Sequence, residues 1–197
     1  RVVIIDALNR CRLVICVSRA LETSLRAKGV TSETAVIPNG VDTALFSPGD
    51  RGEARRTLGL DPGRPLILYA GNFLPVKGIE YLIRAMPDVL GAFPECELTL
   101  VGARRELGDF RRYDGLARSL GVERAVRIHG WIPAGDLPVW MRAADVFALP
   151  SIAEGFGIVA AEALACGIPV VSTRSGGPED IVTGDLGTLV PVRDPAA

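Results

Sequence analysis

Two carboxylates and a glycine-punctuated turn stand out in the stretch Ser151-Ile-Ala-Glu-Gly-Phe-Gly-Ile-Val-Ala-Ala-Glu162. Glu154 falls in the turn and Glu162 eight positions later, inside an alanine-rich run that reads as a helix from Ile158 to Ala165. A helix start offers unpaired backbone N–H groups and the positive end of a dipole, which suits an anion. Gly155 and Gly157 let a ligand come close to the main chain around Phe156 and Ile158. A ligand presenting phosphate to those amides and hydroxyls to the two acids would use the whole stretch, and a nucleotide sugar carries both groups.

A cation with a matching position is Lys77 in Gly71-Asn-Phe-Leu-Pro-Val-Lys-Gly78, directly before a helix expected over Ile79–Leu90. A positive charge at a helix start opposes the dipole by about 0.3–1 kcal/mol. An anion between the lysine and the helix end removes that cost; the other reading is a solvated lysine that swings away. Asn72 could donate its amide to a phosphate or hold the turn. Glu162 is flanked by Val159, Ala163 and Leu164, so it is either partly buried and in need of donors such as ribose hydroxyls, or part of an exposed stripe. Glu154 divides in the same way between a sugar-hydroxyl acceptor and an ordinary turn residue. Trp131 and Ile132, after Gly130, could lie against a flat base, although a tryptophan there more often packs in the core or at its rim. His129 reads as a strand-end residue with a local hydrogen bond, and Arg104 and Arg105 as solvated rather than crevice-lining. The Gly176-Gly-Pro178-Glu-Asp180 start serves as an internal control, because its acids already complement a helix dipole and make it a poor anion site.

The elements that must position these groups follow from periodicity. Strands are expected at Arg12–Val17, Thr34–Ile37, Leu66–Ala70, Glu97–Val101, Ala125–His129, Val146–Leu149, Val170–Ser172 and Thr188–Val190. Helices fit from Ser18, as N-cap, to Lys28, near Glu53–Leu58, then at Ile79–Leu90, Phe110–Leu120, Leu137–Ala143 and Ile158–Ala165, with a short one near Pro178–Val182. Regular strand–helix alternation from Pro65 onward predicts an α/β fold, a Rossmann-like doubly wound parallel sheet. Pro48, Gly49, Gly52, Pro62 and Gly63 mark 41–63 as the candidate linker to a preceding unit. With the strand order 3-2-1-4-5-6, ligands bind where the order reverses, between the first and fourth strands. The loops after those strands are the Lys77 loop and the Glu154 loop.

Absent motifs narrow the chemistry. The Lys77 loop is not G-x-G-x-x-G, and Val101-Gly102 lacks the acid that a dinucleotide ribose needs, which argues against a dehydrogenase. There is no G-x-x-x-x-G-K-[ST], no G-x-S-x-G elbow and no Asp-x-Asp for a metal-held diphosphate. Four dispersed cysteines and a single histidine give no zinc spacing; Cys96 and Cys166 read as core residues, and the usage fits a reducing cytoplasm. A net charge of −1, from 22 basic and 23 acidic residues, gives no field for nucleic acid, and no apolar run is long enough for a membrane span.

Asn39-Gly-Val-Asp42 with Phe46, Gly71-Asn-Phe-Leu-Pro-Val-Lys-Gly78, Leu149-Pro-Ser151, Glu154-Gly-Phe-Gly157, Glu162-Ala163, Gly167-Ile-Pro-Val-Val171 and Gly176-Gly177 resemble glycosyltransferase family 4. These are retaining enzymes built from two Rossmann-like domains, the GT-B architecture. The resemblance implies that residues 1–48 are the last segments of an acceptor-side domain with the linker start, and that 49–197 form a nucleotide-sugar donor domain incomplete at its C-terminus. It implies a hexose transferred from a nucleoside-diphosphate sugar, UDP-sugar before GDP-mannose, to a glycan, lipid-linked or small-molecule hydroxyl acceptor. No metal or other cofactor is implied, the setting is cytoplasmic, and the missing domain leaves room for peripheral membrane contact. Lys77 and Glu154 would serve catalysis, Lys77 on the diphosphate and Glu154 on a sugar hydroxyl. Asn72, Trp131, Ile132, Gly155, Phe156, Gly157, Ile158 and Glu162 would complete the donor site, with Glu162 on the ribose. Asn72 departs from the arginine usual in the family, which shifts leaving-group stabilisation onto Lys77 and the helix start. The rival expectations are a GT-B nucleotide-sugar epimerase and a non-catalytic sugar-nucleotide or protein-binding module.

Overall fold

A computed structural model of the chain describes residues 2–102 and 108–197. The first part is small: α1 (Val2–Leu8), then the parallel pair β1 (Leu13–Cys16) and β2 (Glu33–Val36), with α2 (Arg19–Ala27) between the strands. Alternation along β1 turns Val14 and Cys16 inward, where they meet Val30 and are joined by Leu21 and Leu25 of α2, and leaves Leu13 and Ile15 exposed on the opposite face. Ser18 caps α2, its Oγ accepting from the Leu21 amide at 3.1 Å, so one of the helix's orphan donors is satisfied.

After Pro38-Asn39-Gly40 the chain is fastened to the second part. Phe46 enters that part's core, and α3 (Arg51–Leu58) begins at an Asp50 cap whose Oδ1 accepts from Glu53 N at 2.6 Å. Arg55, 2% exposed, donates to the carbonyls of Ala143, Asp61 and Pro62 and to the Asp145 carboxylate. Arg142 donates to the carbonyls of Leu45 and Ser47. The stretch 41–63, read from its prolines and glycines as a linker, is thus held along one side by side chains. Proline and glycine report where regular structure stops; they do not report whether the irregular chain is anchored.

The second part is a six-stranded, all-parallel sheet in the order β5-β4-β3-β6-β7-β8. Its strands are β3 (Leu66–Ala70), β4 (Glu97–Val101), β5 (Val126–Gly130), β6 (Val146–Leu149), β7 (Val170–Thr173) and β8 (Gly187–Val190). Within this part the order is 3-2-1-4-5-6. Strands buried on both faces have no polar side to show, hence runs such as Leu-Ile-Leu-Tyr-Ala. Leu66, Leu68 and Ala70 of β3 face one core, shared with α3, α6 (Leu137–Ala143) and α7 (Ile158–Ala165). Ile67 and Tyr69 face the other, shared with α4 (Ile79–Ala92) and α5 (Gly108–Ser119). Cys96 and Cys166 are core residues, each 3% exposed. Several boundaries shift by one or two residues, β2 and β8 each beginning one residue early, and one element differs in kind: the helix expected near Pro178–Val182 is a 3-10 turn at Gly177–Asp180. A short i→i+3 turn lacks the apolar period by which a helix is recognised. Among the described residues no helix is long and apolar enough to cross a membrane.

Candidate functional site

β3 and β6 are neighbours where the strand order reverses, so the loops that leave their carboxyl ends meet. The first runs through a 3-10 turn, Pro75–Lys77, to Gly78, which caps α4 at φ 65°. A Cβ on Gly78 would lie 2.0 Å from the Pro150 carbonyl oxygen, so only glycine lets the two main chains touch here. Beside this contact Ile152 N donates to Val76 O at 2.8 Å. The second loop enters α7 at Gly157, whose lack of a side chain leaves the first helical amides uncapped.

Lys77 Nζ lies 2.6 Å from Glu154 Oε2, with the two side chains 23% and 14% exposed. Ser151 Oγ donates to the same carboxylate oxygen at 3.3 Å. Neither reading of Lys77 from the sequence names this partner, a carboxylate of the facing loop. The Glu154 main chain is itself braced, its N donating to Ser175 O and its O accepting from Gly177 N, both at 2.9 Å. Gly177 is required for that brace, because a Cβ there would lie 2.3 Å from Phe156 Cα. The acids of the Gly176–Asp180 segment do not serve its own turn alone: Asp180 Oδ2 accepts from Arg19 N at 2.7 Å, at the start of α2.

A cleft of about 230 Å³ opens between the two loops, with Tyr69, Asn72, Lys77, Glu154, Gly157 and Ile158 on its walls. Tyr69 gave no signal in the sequence, where it is one more apolar position of a buried strand. Its hydroxyl donates to the Asn72 carbonyl at 2.9 Å, and burial first, then Tyr113 and the Glu154 charge, hold it far above the ordinary phenol range, in the protonated donor form. The Asn72 carbonyl also accepts from Leu74 N, so its main chain holds the turn while its side chain stays exposed at the cleft.

Other sequence-derived candidates lie off these walls. Gly155 is exposed on the loop, and Phe156 is buried at 7%. Glu162, one turn into α7, is half-buried, and its side chain forms no hydrogen bond or ion pair among the described residues; burial pushes its carboxyl above the ordinary range. Trp131 is 68% exposed and is therefore no core residue; Trp140 of α6 takes that place, with the His129 ring edge-on to it at 4.7 Å and without a side-chain hydrogen bond among the described residues. Ile132 packs against the α6–α7 core. Arg104 and Arg105 lie outside the described residues. Among the described residues no group of three or more His, Cys, Asp or Glu is placed to hold a metal ion.

The family described as glycosyl transferases group 1 matches residues 50–197, three quarters of the chain. The chain belongs to that family. Residues 3–45 match a second family model, Glycosyltransferase Family 4. Among the relatives of this group 1 chain, the D-inositol 3-phosphate glycosyltransferase of Actinosynnema mirum is 43% identical over 81% of the chain and 40% of that protein. The GDP-mannose-dependent alpha-(1-6)-phosphatidylinositol monomannoside mannosyltransferase of Mycolicibacterium smegmatis is 38% identical over 92% of the chain and 50% of that protein. The chain thus spans half or less of these relatives' length. Among solved structures, sucrose-phosphate synthase from Thermosynechococcus elongatus superimposes with a TM-score of 0.91 at 35% identity, over the whole chain and 49% of that protein. Anabaena HepE in complex with UDP-glucose gives 0.87 at 29% identity, over 98% of the chain and 54% of that protein. The architecture is that of the GT-B glycosyltransferases, with the donor-side domain covered.

Proposed function

We propose that residues 49–197 are the donor-binding domain of a retaining glycosyltransferase that moves a hexose from a nucleoside-diphosphate sugar to a hydroxyl acceptor. Residues 1–48 are then the closing segments of its acceptor-side domain, with the linker start. The exposed apolar face of β1, Leu13 and Ile15, supports that division, because such a face needs further chain against it. The observation that carries the reading is the convergence of Lys77, Glu154 and the uncapped start of α7 on one cleft at the reversal of strand order.

Cleavage of the bond between C1 and the phosphate oxygen leaves negative charge on the diphosphate. Lys77 and the uncapped amides of Gly157 and Ile158 at the start of α7 meet that charge in the cleft, where fixed charges and dipoles act most strongly, with Gly155 and Phe156 shaping the loop before them. Glu154 accepts from a hexose hydroxyl, and Glu162 from the ribose, whose two hydroxyls supply the donors that its half-buried carboxylate lacks. Asn72 adds a neutral donor at the phosphates. Trp131 and Ile132, beyond the end of β5, lie on the side of the base. The acceptor attacks from the face the diphosphate leaves, so configuration is retained, and no metal is essential. HepE with UDP-glucose and the GDP-mannose-dependent relative support a UDP-sugar first and GDP-mannose second. The acceptor is a glycan, a lipid-linked sugar or a small molecule, reached on the cytoplasmic side.

Calorimetric titration with UDP, GDP, ADP and the matching nucleosides tests the reading. One diphosphate should bind, and Lys77→Ala should weaken it by about tenfold or more while the nucleoside is little changed, as expected for the loss of one charge-assisted contact. Equal losses for diphosphate and nucleoside would remove Lys77 from the phosphates.

A further inference from the structure

Beside the cation that a diphosphate needs stands a carboxylate that cannot move far. We propose that Glu154 competes with free nucleoside diphosphate for Lys77, so that the site holds the intact sugar nucleotide and rejects the diphosphate left after transfer. This inference rests on the functional reading above.

The pair is close, 2.6 Å from Nζ to Oε2, and both side chains are largely withdrawn from water, so their attraction is screened less than that of a surface pair. A phosphate arriving at Lys77 therefore meets a negative charge already in place. The Glu154 main chain cannot carry that charge away, because Ser175 O and Gly177 N hold it from both sides and Gly177 is seated against Phe156. Only rotation of the side chain remains. A partly buried carboxylate that loses its cation needs new donors. Ser151 Oγ is one, on Oε2, and among the described residues no donor reaches Oε1.

A bare diphosphate brings only acceptors to this end of the cleft. The intact sugar nucleotide brings hydroxyl donors with its phosphates, and Glu154, which lines the cleft, can take them while Lys77 turns to the diphosphate. The hexose thereby offsets a cost that the diphosphate alone must bear. Once the hexose leaves, those donors leave with it, Glu154 reclaims Lys77, and the diphosphate loses its cation. Glu154 would thus determine specificity between substrate and product, beyond contacting the sugar.

The test is calorimetric titration of the wild type, E154Q, E154A and K77A with UDP, GDP, UDP-glucose and GDP-mannose, with circular dichroism to show that each variant is folded. E154Q and E154A should bind the diphosphate about tenfold more tightly than wild type, the change expected when one partly buried like charge is removed. Their preference for the sugar nucleotide over the diphosphate should shrink or reverse. Folded E154Q and E154A that bind diphosphate no more tightly than wild type would overturn the proposal. The wild type alone gives an independent check: equal affinity for a sugar nucleotide and its diphosphate also overturns it. If K77A weakens the diphosphate but the Glu154 variants do not tighten it, competition falls and the phosphate site stands. If K77A binds diphosphate like wild type, or no nucleotide binds any form, the functional reading falls and the competition with it.

Discussion

Glu162 has half-buried surroundings and no partner among the described residues, which makes its charge a measurable liability in the free protein. Its folded-state pKa lies above the ordinary 4.5, so within that window the native state binds more protons than the unfolded chain. Stability is then lost as pH rises through the window. Glu162→Gln carries no such charge, so its melting midpoint should gain on wild type as pH is raised from about 4 to about 7. A gap that stays constant with pH would show that the carboxylate is solvated. A ribose nucleotide should narrow the gap, because hydroxyl donors favour the ionised form, and a 2′-deoxyribose nucleotide should narrow it less. The half-burial of Glu162 was one of the two readings its apolar neighbours allowed. The partner of Lys77 was not, because a pair separated by 77 positions exists only once strand order is known. Trp131 and Trp140 show the same limit, since which of two nearby tryptophans is buried depends on the direction of a strand end.

At the scale of elements, the two cleft-lining loops are joined backbone to backbone, and Gly78 is where they touch. Gly78→Ala introduces a Cβ 2.0 Å from Pro150 O at a φ of 65°. Main chain cannot yield as a side-chain end can, so overpacking should cost about 1–3 kcal/mol, with about 1 kcal/mol more for the left-handed conformation. The urea midpoint should fall, and diphosphate affinity with it. Gly91→Ala in the same helix, where nothing lies within 4 Å of the added carbon, is the control and should be neutral or slightly stabilising. A Gly78→Ala protein as stable as that control would mean that the loops part without cost. Strands β3, β4 and β6 and helix α7 were legible because doubly buried apolar runs and an alanine-rich helix leave few alternatives. The Gly176-Gly177 doublet was visible too, but as a helix start. Its work as a brace for Glu154 depends on a neighbour 22 or more residues away in sequence.

For the whole molecule, the anchoring of 41–63 moves the pliable point between the two parts upstream. Arg55 and Arg142 bind that stretch to α6 and to Asp145 just before β6, whereas Asn39 and Gly40 donate no backbone hydrogen bond to a described residue. Between the two parts, Asp180 holds the start of α2. Any reorientation of the two parts should therefore turn on Pro38–Gly40 and break the Asp180 contact. Hydrogen exchange should find the amides of Asn39, Gly40 and Arg19 fast, and those of α3 as slow as those of α6. Fast exchange throughout α3 would instead place the hinge at the composition-defined linker. The assumed strand order was the one found, which is why the two unusual loops met; the hinge lay hidden because anchoring side chains leave no mark on local composition. The meeting of those loops also sets when the protein can first recognise a ligand. Lys77 has no countercharge until β6 has been synthesised and laid beside β3, so a chain stopped after β5 has half a recognition surface and an unneutralised cation. Ligand cannot template the early steps of assembly, and the capacity to bind becomes a signal that the long-range pairing of β3 with β6 is complete.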